Sequence, residues 1–136
     1  MKNHAAFIIH EGAKILFIKR SMQKSTLPGA WSFPTGTQED GEDIETTATR
    51  ESEEELGVHT TIDRVLGERD LEEFDVRLHF VLCSIQSGVP QIVDETEISE
   101  FTWMTFPEFF AQYSDDEIGH GLVYLRQHPE LWRDIT

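Results

Sequence analysis

The sequence contains a single cysteine, Cys83, so no intramolecular disulfide can form and the fold must rest on burial and hydrogen bonding. Basic residues are scarce: 11 Lys and Arg stand against 26 Asp and Glu, a formal charge of −15. A chain with that balance repels DNA, RNA and anionic membranes, which excludes broad contact with any of them as the basis of function. A phosphate-bearing partner would need a cation between itself and the protein. Long apolar runs are missing as well. The opening stretch "MKNHAAFIIHEGAKILF" breaks at His10-Glu11, too early for a signal-peptide core or a membrane span. Together with the lone cysteine, this leads to the expectation of a soluble, cytoplasmic protein. Repeats, linkers and low-complexity tracts are also absent, so residues 1–136 are expected to form one domain, burying roughly two-thirds of the unfolded surface in one core.

What is present reads as mixed secondary structure. "AAFIIH" and "KILFIKR" are β-favouring runs joined at Glu11-Gly12, which predicts a hairpin. "STLPGAWSFPTG" places prolines and glycines around Trp31 and Phe33, the pattern of a short strand between loops. Residues 43–56 lack Pro and Gly, with Asp43 as N-cap and Gly57 as left-handed C-cap, which predicts a helix. In "DVRLHFVLCSI", Val76, Leu78, Phe80 and Leu82 alternate with Arg77 and His79 before both faces turn apolar, as in a strand entering the middle of a sheet. "EISEFTWMTF" predicts another strand, 107–113 a short helix opened by Pro107, and 119–127 a C-terminal helix. Strands mixed with these helices indicate an α/β or α+β layered domain.

The 43–56 helix has an unusual face. At about 100° per residue, Glu51, Glu54 and Glu55 fall within roughly a third of its circumference, where like charges repel by a few tenths of a kcal/mol per pair. Arg50 stands at the edge of the patch, able to hold a carboxylate in a bidentate bond, while Glu53 points away. Clustered carboxylates suit a hard divalent cation such as Mg²⁺, which would offset their repulsion. The plainer alternative for such a face is solvated surface.

The wider spacing decides between these. Gly36, Glu42, Arg50, Glu51, Glu54, Glu55, Gly57 and Val58 fit the pattern G-x5-E-x7-R-E-U-x-E-E-x-G-U at every fixed letter, with Ser52 alone replacing a bulky aliphatic residue. The chain thus resembles the Nudix (MutT-like) hydrolase family. "AWSFPTG" is similar to the family's strand before this box, although Thr35 replaces a frequent glycine. Loss of the aliphatic residue at Ser52 is expected to weaken helix packing more than chemistry.

The resemblance implies a Nudix fold, an α/β/α sandwich around a mixed β-sheet. It implies hydrolysis of a nucleoside diphosphate linked to a group X, foremost a nucleoside triphosphate, an oxidised one included, to monophosphate and pyrophosphate. The alternatives it leaves are an ADP-ribose or nucleotide-sugar pyrophosphatase and a non-catalytic nucleotide sensor, although sensors usually lose a box Glu or Arg and here all are present. Carried over by position, the Gly36 carbonyl with Glu51, Glu54 and Glu55 would bind Mg²⁺, with Mn²⁺ as a substitute; Glu42 would brace the loop and Arg50 orient the glutamates. "EISEFTW" is similar to a segment that returns a further glutamate to the metal: Glu97 fits best by its distance from Trp103, with Glu95 and Glu100 as rivals. Glu51 and Glu97 both stand as general base, Glu97 slightly favoured because box glutamates holding metal are poorer bases.

Arg20, Phe33 and Phe74 match positions that line the nucleotide pocket in the MutT-like branch, against the alternative that the two phenylalanines are core or strand-end residues. That branch reads a modified purine with an Asn well past the box. Here the only Asn is Asn3, so Gln112, Asp115 or Asp116 would have to supply purine contacts, and oxidised dGTP is not favoured. "RSMQKSTLPGAW" is also similar to Nudix-fold isopentenyl diphosphate isomerases, which need a cysteine that residues 33–36 lack. No calcium-binding D-x-[DN]-x-[DN]-G loop occurs, and the six histidines show no metal-ligand spacing. Cys83, Trp31 and Trp103 are expected to pack in the core. The expected partner is a small nucleotide, with no stable nucleic-acid or membrane binding.

Overall fold

A computed structural model describes residues 1–135. The expected hairpin forms: β1 (Lys2–Glu11) turns through Gly12 and Ala13 into the antiparallel β2 (Lys14–Arg20). Gly12 opens the turn at φ +58°, a conformation that costs an L side chain roughly 1–2 kcal/mol. β1 is the spine of the sheet. It pairs antiparallel with β4 (Thr35–Thr37) and parallel with β6 (Val76–Ser87), whose other side takes the antiparallel β5 (His59–Leu71). β2 carries β3 (Trp31–Ser32) and β7 (Ile98–Met104), both antiparallel, so seven strands join in one mixed sheet.

Strand alternation divides β1 between two cores. Ala5, Phe7 and Ile9 meet Leu16, Val81 and Cys83 beneath Ala48 and Leu56 of α1 (Ile44–Leu56). Ala6 and Ile8 meet Phe17, Leu78 and Phe80 on the opposite face, beneath Phe106 and Phe109 of α2 (Phe106–Gln112) and Leu122 and Leu125 of α3 (His120–Gln127). The sheet is thus covered on both sides, as the α/β/α expectation requires. β6 is buried on both faces around Phe80–Cys83, which explains its continuous apolar stretch. Each fully buried Phe, Leu or Ile contributes about 1.5–3 kcal/mol. The Phe17 ring stacks on Phe109 at 3.9 Å and meets Phe106 edge-on at 5.7 Å, locking α2 to the hairpin.

Helix α1 has the predicted ends. The Asp43 carboxylate accepts from the Thr46 amide at 2.7 Å, and Gly57 closes the helix at φ +68°. Ser52 is fully buried, and its hydroxyl donates to the Ala48 carbonyl at 2.6 Å, so the polar substitution leaves no unmet donor. Thr35 lies in β4 opposite Ala6 with extended backbone, a place that does not require glycine. The 13-residue β5 is not legible in the sequence: register shifts at three places break the alternation that would mark it. Among the described residues, no helix is long and apolar enough to cross a membrane.

Candidate active site

Helix α1 presents its acids toward β4. A Cβ built on Gly36 would sit 2.0 Å from Cγ of Glu51, so only glycine lets the β4 backbone approach this closely. Arg50 organises the opposite edge of the patch. Its Nε and Nη2 donate to the two Glu42 oxygens at 2.8 and 2.9 Å, Nη1 to Glu51 at 2.8 Å and to Glu54 at 3.4 Å, and Nη2 to the Thr37 carbonyl at 3.0 Å. Glu42 also accepts from the Thr47 hydroxyl at 2.7 Å and the Glu39 amide at 3.1 Å. The Arg50 bonds first, then Thr47, hold the Glu42 carboxyl down at about 2, and Glu42 in turn raises the Arg50 guanidinium. Arg50 bonds Glu51 and, through Glu42, the loop before α1, and does not itself line the cavity at these acids.

Gly36, Glu51, Glu54, Glu55 and Glu97 line one cavity of about 330 Å³, joined there by Asp94. Glu55 is its most strained member. Its Oε2 is buried without a hydrogen-bond partner, and burial, reinforced by the charge of Glu51, pushes its carboxyl up to about 9. A buried oxygen left without a donor costs about 1–3 kcal/mol, which a cation would relieve. The oxygen-only donor set and this unmet atom fit a hard divalent metal. Among the described residues, no three acidic, histidine or cysteine side chains already converge on one point: Glu51 is turned to Arg50, and Glu97 to Lys24.

Glu97 precedes β7, on a turn whose Asp94 accepts from the Thr96 amide at 2.9 Å. Its Oε2 lies 2.5 Å from Lys24 Nζ. Of its rivals, Glu95 is exposed and lines none of these cavities, while Glu100 sits opposite Lys19 on β7 and faces a separate cavity beside Trp31.

A second cleft of about 310 Å³, more apolar, lies near the acid cavity and is lined by Arg20, Leu27, Phe74, Leu78 and His120 among others. Phe74 is half exposed and meets the His120 ring at 5.3 Å with a 44° tilt. Arg20 donates from Nε to the Thr26 carbonyl at 3.0 Å and from Nη2 to the Thr26 hydroxyl at 2.9 Å; burial lowers its pKa, with Glu97 and Glu55 opposing. Phe33 stands apart from this pair. It is 3% exposed, stacks on Phe17 at 5.7 Å and reaches only a narrow polar pocket, because between β3 and β4 it packs into the core beneath Phe106 of α2. That pocket, about 140 Å³, is lined by Arg20, Lys24, Phe33, Thr35, Glu55 and Glu97, and so shares walls with both larger cavities.

With acids, glycine and arginine so disposed, a family model described as NUDIX domain matches residues 1–126. The chain belongs to the Nudix family. Nudix hydrolase 2 of Arabidopsis thaliana is 32% identical over 110 residues, 79% of this chain and 40% of that protein. The uncharacterized Nudix hydrolase YfcD of Escherichia coli (strain K12) is 34% identical over 116 residues, 82% of this chain and 64% of that protein. The chain thus spans less than two-thirds of the length of either relative. Among solved structures, the E. coli ORF135 protein superposes with a TM-score of 0.72 at 25% identity, covering 96% of this chain and 90% of that one. A NUDIX hydrolase from Nitrosomonas europaea shares the fold with a TM-score of 0.74 at 20% identity, covering 97% and 88%.

Within this Nudix domain, the residues suggested for purine contact lie elsewhere. Gln112 donates to the Tyr113 hydroxyl, Asp115 pairs with Arg126 at 3.2 Å and Asp116 accepts from Ser114. None of the three lines the apolar cleft; the turn after α2 instead sets Tyr113, Asp116 and Glu117 against the cavity beside Trp31. His120, Lys24 and Asp94 are the site residues that sequence reasoning missed. Only Asp94 left a local signal, the Asp-x-Thr turn; the other two are placed by folding of distant segments.

Proposed function

We propose that the chain is a divalent-metal-dependent hydrolase of phosphoric anhydrides, cleaving the diphosphate linkage of a nucleoside diphosphate linked to X. The preferred substrate in this reading is a nucleoside triphosphate, giving a nucleoside monophosphate and pyrophosphate. The observation that supports it most is the succession of cavities: carboxylates at one end, Arg20 and Lys24 in the narrow pocket between, and Phe74 with His120 in the apolar cleft. A diphosphate carrying a planar base has the same order of groups.

Nudix hydrolases generally use divalent metals; Mg²⁺, or Mn²⁺ in its place, held by the Gly36 carbonyl, Glu51, Glu54 and Glu55, would supply charge neutralisation and acidify water. The chain's own groups do the rest. Arg50 fixes the Glu51 rotamer and keeps the loop before α1 closed on the site. Glu97 accepts the proton of the attacking water as the new P–O bond forms and the bridging P–O bond breaks, the electron pair leaving with the pyrophosphate. Phe74 and His120, whose rings already meet, offer an aromatic wall for the base to stack against, and Arg20, anchored by Thr26, takes an acceptor of the substrate.

Oxidised purines are the less supported variety, since Gln112, Asp115 and Asp116 lie outside the cleft. Product analysis with Mg²⁺ tests the reading: nucleoside monophosphate and pyrophosphate from nucleoside triphosphates and 8-oxo-dGTP, AMP and a sugar phosphate from ADP-ribose, UMP and a sugar phosphate from UDP-sugars. Pyrophosphate from triphosphates is expected. Turnover confined to ADP-ribose or UDP-sugars would replace the substrate, and nucleotide binding without any turnover would make the protein a sensor.

A further inference from the structure

The loop of residues 21–29 runs from the narrow pocket, which Lys24 lines, to the apolar cleft, which Thr26 and Leu27 line. Its start is latched to Glu97 through the backbone, Ser21 amide to Glu97 carbonyl at 3.0 Å, and its end to Arg20 through the Gly29 amide at 3.1 Å. Between these anchors Thr26 holds the Arg20 guanidinium and Leu27 takes φ +46°, a left-handed conformation that persists only where neighbours enforce it. Lys24 is the one loop residue that reaches the acids, 2.5 Å from Glu97 Oε2, with the Lys24 side chain 24% exposed and that of Glu97 48%.

We propose that Lys24 is a diphosphate-binding residue that exchanges Glu97 for the phosphate oxygens of an arriving substrate, freeing Glu97 Oε2 toward the attacking water. Arg20 and Lys24 are the two cations lining the narrow pocket, and Arg20 already spends Nε and Nη2 on Thr26. Lys24 has three donors, and its visible side-chain partner is Glu97. The fixed loop ends mean the exchange needs only rotation about the lysine side chain. Charge favours it: a diphosphate entering beside Glu51, Glu54 and Glu55 meets repulsion on the α1 side and the Lys24 ammonium across from it. An Oε2 that no longer accepts from lysine has its lone pairs open to the water proton. The device makes a diphosphate, rather than the base, the signal that readies Glu97.

This inference rests on the phosphoric-anhydride reading, and binding separates the two. Calorimetric titration of inorganic pyrophosphate with Mg²⁺ into wild type, Lys24→Met and Lys24→Arg needs no turnover. Loss of about 10- to 100-fold in affinity is expected for Lys24→Met, with recovery in Lys24→Arg. The loss should persist in a Glu97→Gln background, since the contact with phosphate is direct, and nucleotide kinetics should show KM rising more than kcat falls. Unchanged pyrophosphate affinity, or a loss that vanishes once Glu97 is replaced, would make Lys24 a brace for Glu97 and overturn the proposal. Lys24-dependent binding in a protein that cleaves no nucleotide would instead sink the hydrolase reading and leave the phosphate contact standing.

Discussion

Glu42 and Glu55 belong to the same motif and stand at opposite extremes. Glu42 accepts from Arg50, Thr47 and Glu39, and its carboxyl is held at about 2. Glu55, buried beside Glu51 with an oxygen that nothing donates to, is pushed up to about 9. The first is a finished structural contact; the second is a group the fold keeps unfinished. A carboxylate completed by the protein has no capacity left for a ligand, and one left incomplete costs stability until a ligand arrives. Within the acid cavity Glu55 is the incomplete member, while Glu51 and Glu97 are held by Arg50 and Lys24.

The largest expected effect breaks the comparison on the incomplete side. Glu55→Gln or Glu54→Gln should cut turnover with Mg²⁺ by roughly 10²–10³-fold, the size of losing one preorganised electrostatic contact. Glu97→Gln should cost about 10²-fold, as for loss of a general base, with a smaller change in nucleotide affinity. Steady-state kinetics on the best substrate of the panel measures both. If Glu100→Gln proves the damaging change, the assignment of Glu97 is wrong.

On the finished side, Arg50→Met removes the partner of Glu42, Glu51 and Glu54 together. A melting temperature lower by roughly 5–10 °C is expected in metal-free protein, and a turnover loss that excess Mg²⁺ does not restore. If stability is unchanged and only activity falls, Arg50 acts on the substrate rather than on the scaffold.

How much of this contrast is legible in sequence follows from how local each cause is. The Asp43 cap, the Gly57 terminus and the acid spacing of α1 are set within a few residues of chain, and they appear in the structure as the pattern predicts. The hairpin and β6 are equally local. The pairing of Lys24 with Glu97 spans 73 residues and a Ser/Thr/Pro/Gly loop whose path no periodicity encodes. His120 is a similar case: it meets Phe74 only because a 3₁₀ turn at Glu72–Phe74 and the start of α3 fold over the same end of the sheet. Phe33 and Phe74 look alike as letters, and the topology alone sends one into the core and leaves the other at the cleft.

The pH dependence of metal-free stability sharpens the comparison, because the two glutamates act with opposite sign. Glu42 ionises more readily folded than unfolded, so its contribution is present above pH 4.5 and is lost as pH falls toward 2. Between pH 4.5 and about 9, folded Glu55 holds a proton that the unfolded chain has released, so stability falls as pH rises through that window. Chemical denaturation from pH 5 to 9 without metal should show this decline, and Glu55→Gln should flatten it. Calorimetry of Mg²⁺ binding in buffers of different ionisation enthalpy should report release of about one proton near pH 7. A flat stability profile in wild type would mean that Glu55 is ionised in the fold.

The smallest expected effect concerns Glu54, whose side chain is 58% exposed and 3.4 Å from Arg50. An ion pair that exposed contributes about 0–1 kcal/mol, and repulsion from Glu51 and Glu55 offsets part of it. Glu54→Gln should therefore leave metal-free stability within about 1 kcal/mol of wild type, while Glu55→Gln, freed of its buried carboxyl, should gain on the order of 1 kcal/mol at pH 8. With saturating Mg²⁺ the order should reverse, because wild type gains RT ln(1 + [L]/Kd) from a site that both variants largely lose. Melts of the three proteins with and without Mg²⁺ measure this directly. A solvated acidic face would give neither the gain without metal nor the reversal with it, so equal Mg²⁺-induced shifts in all three would remove these carboxylates from the metal site.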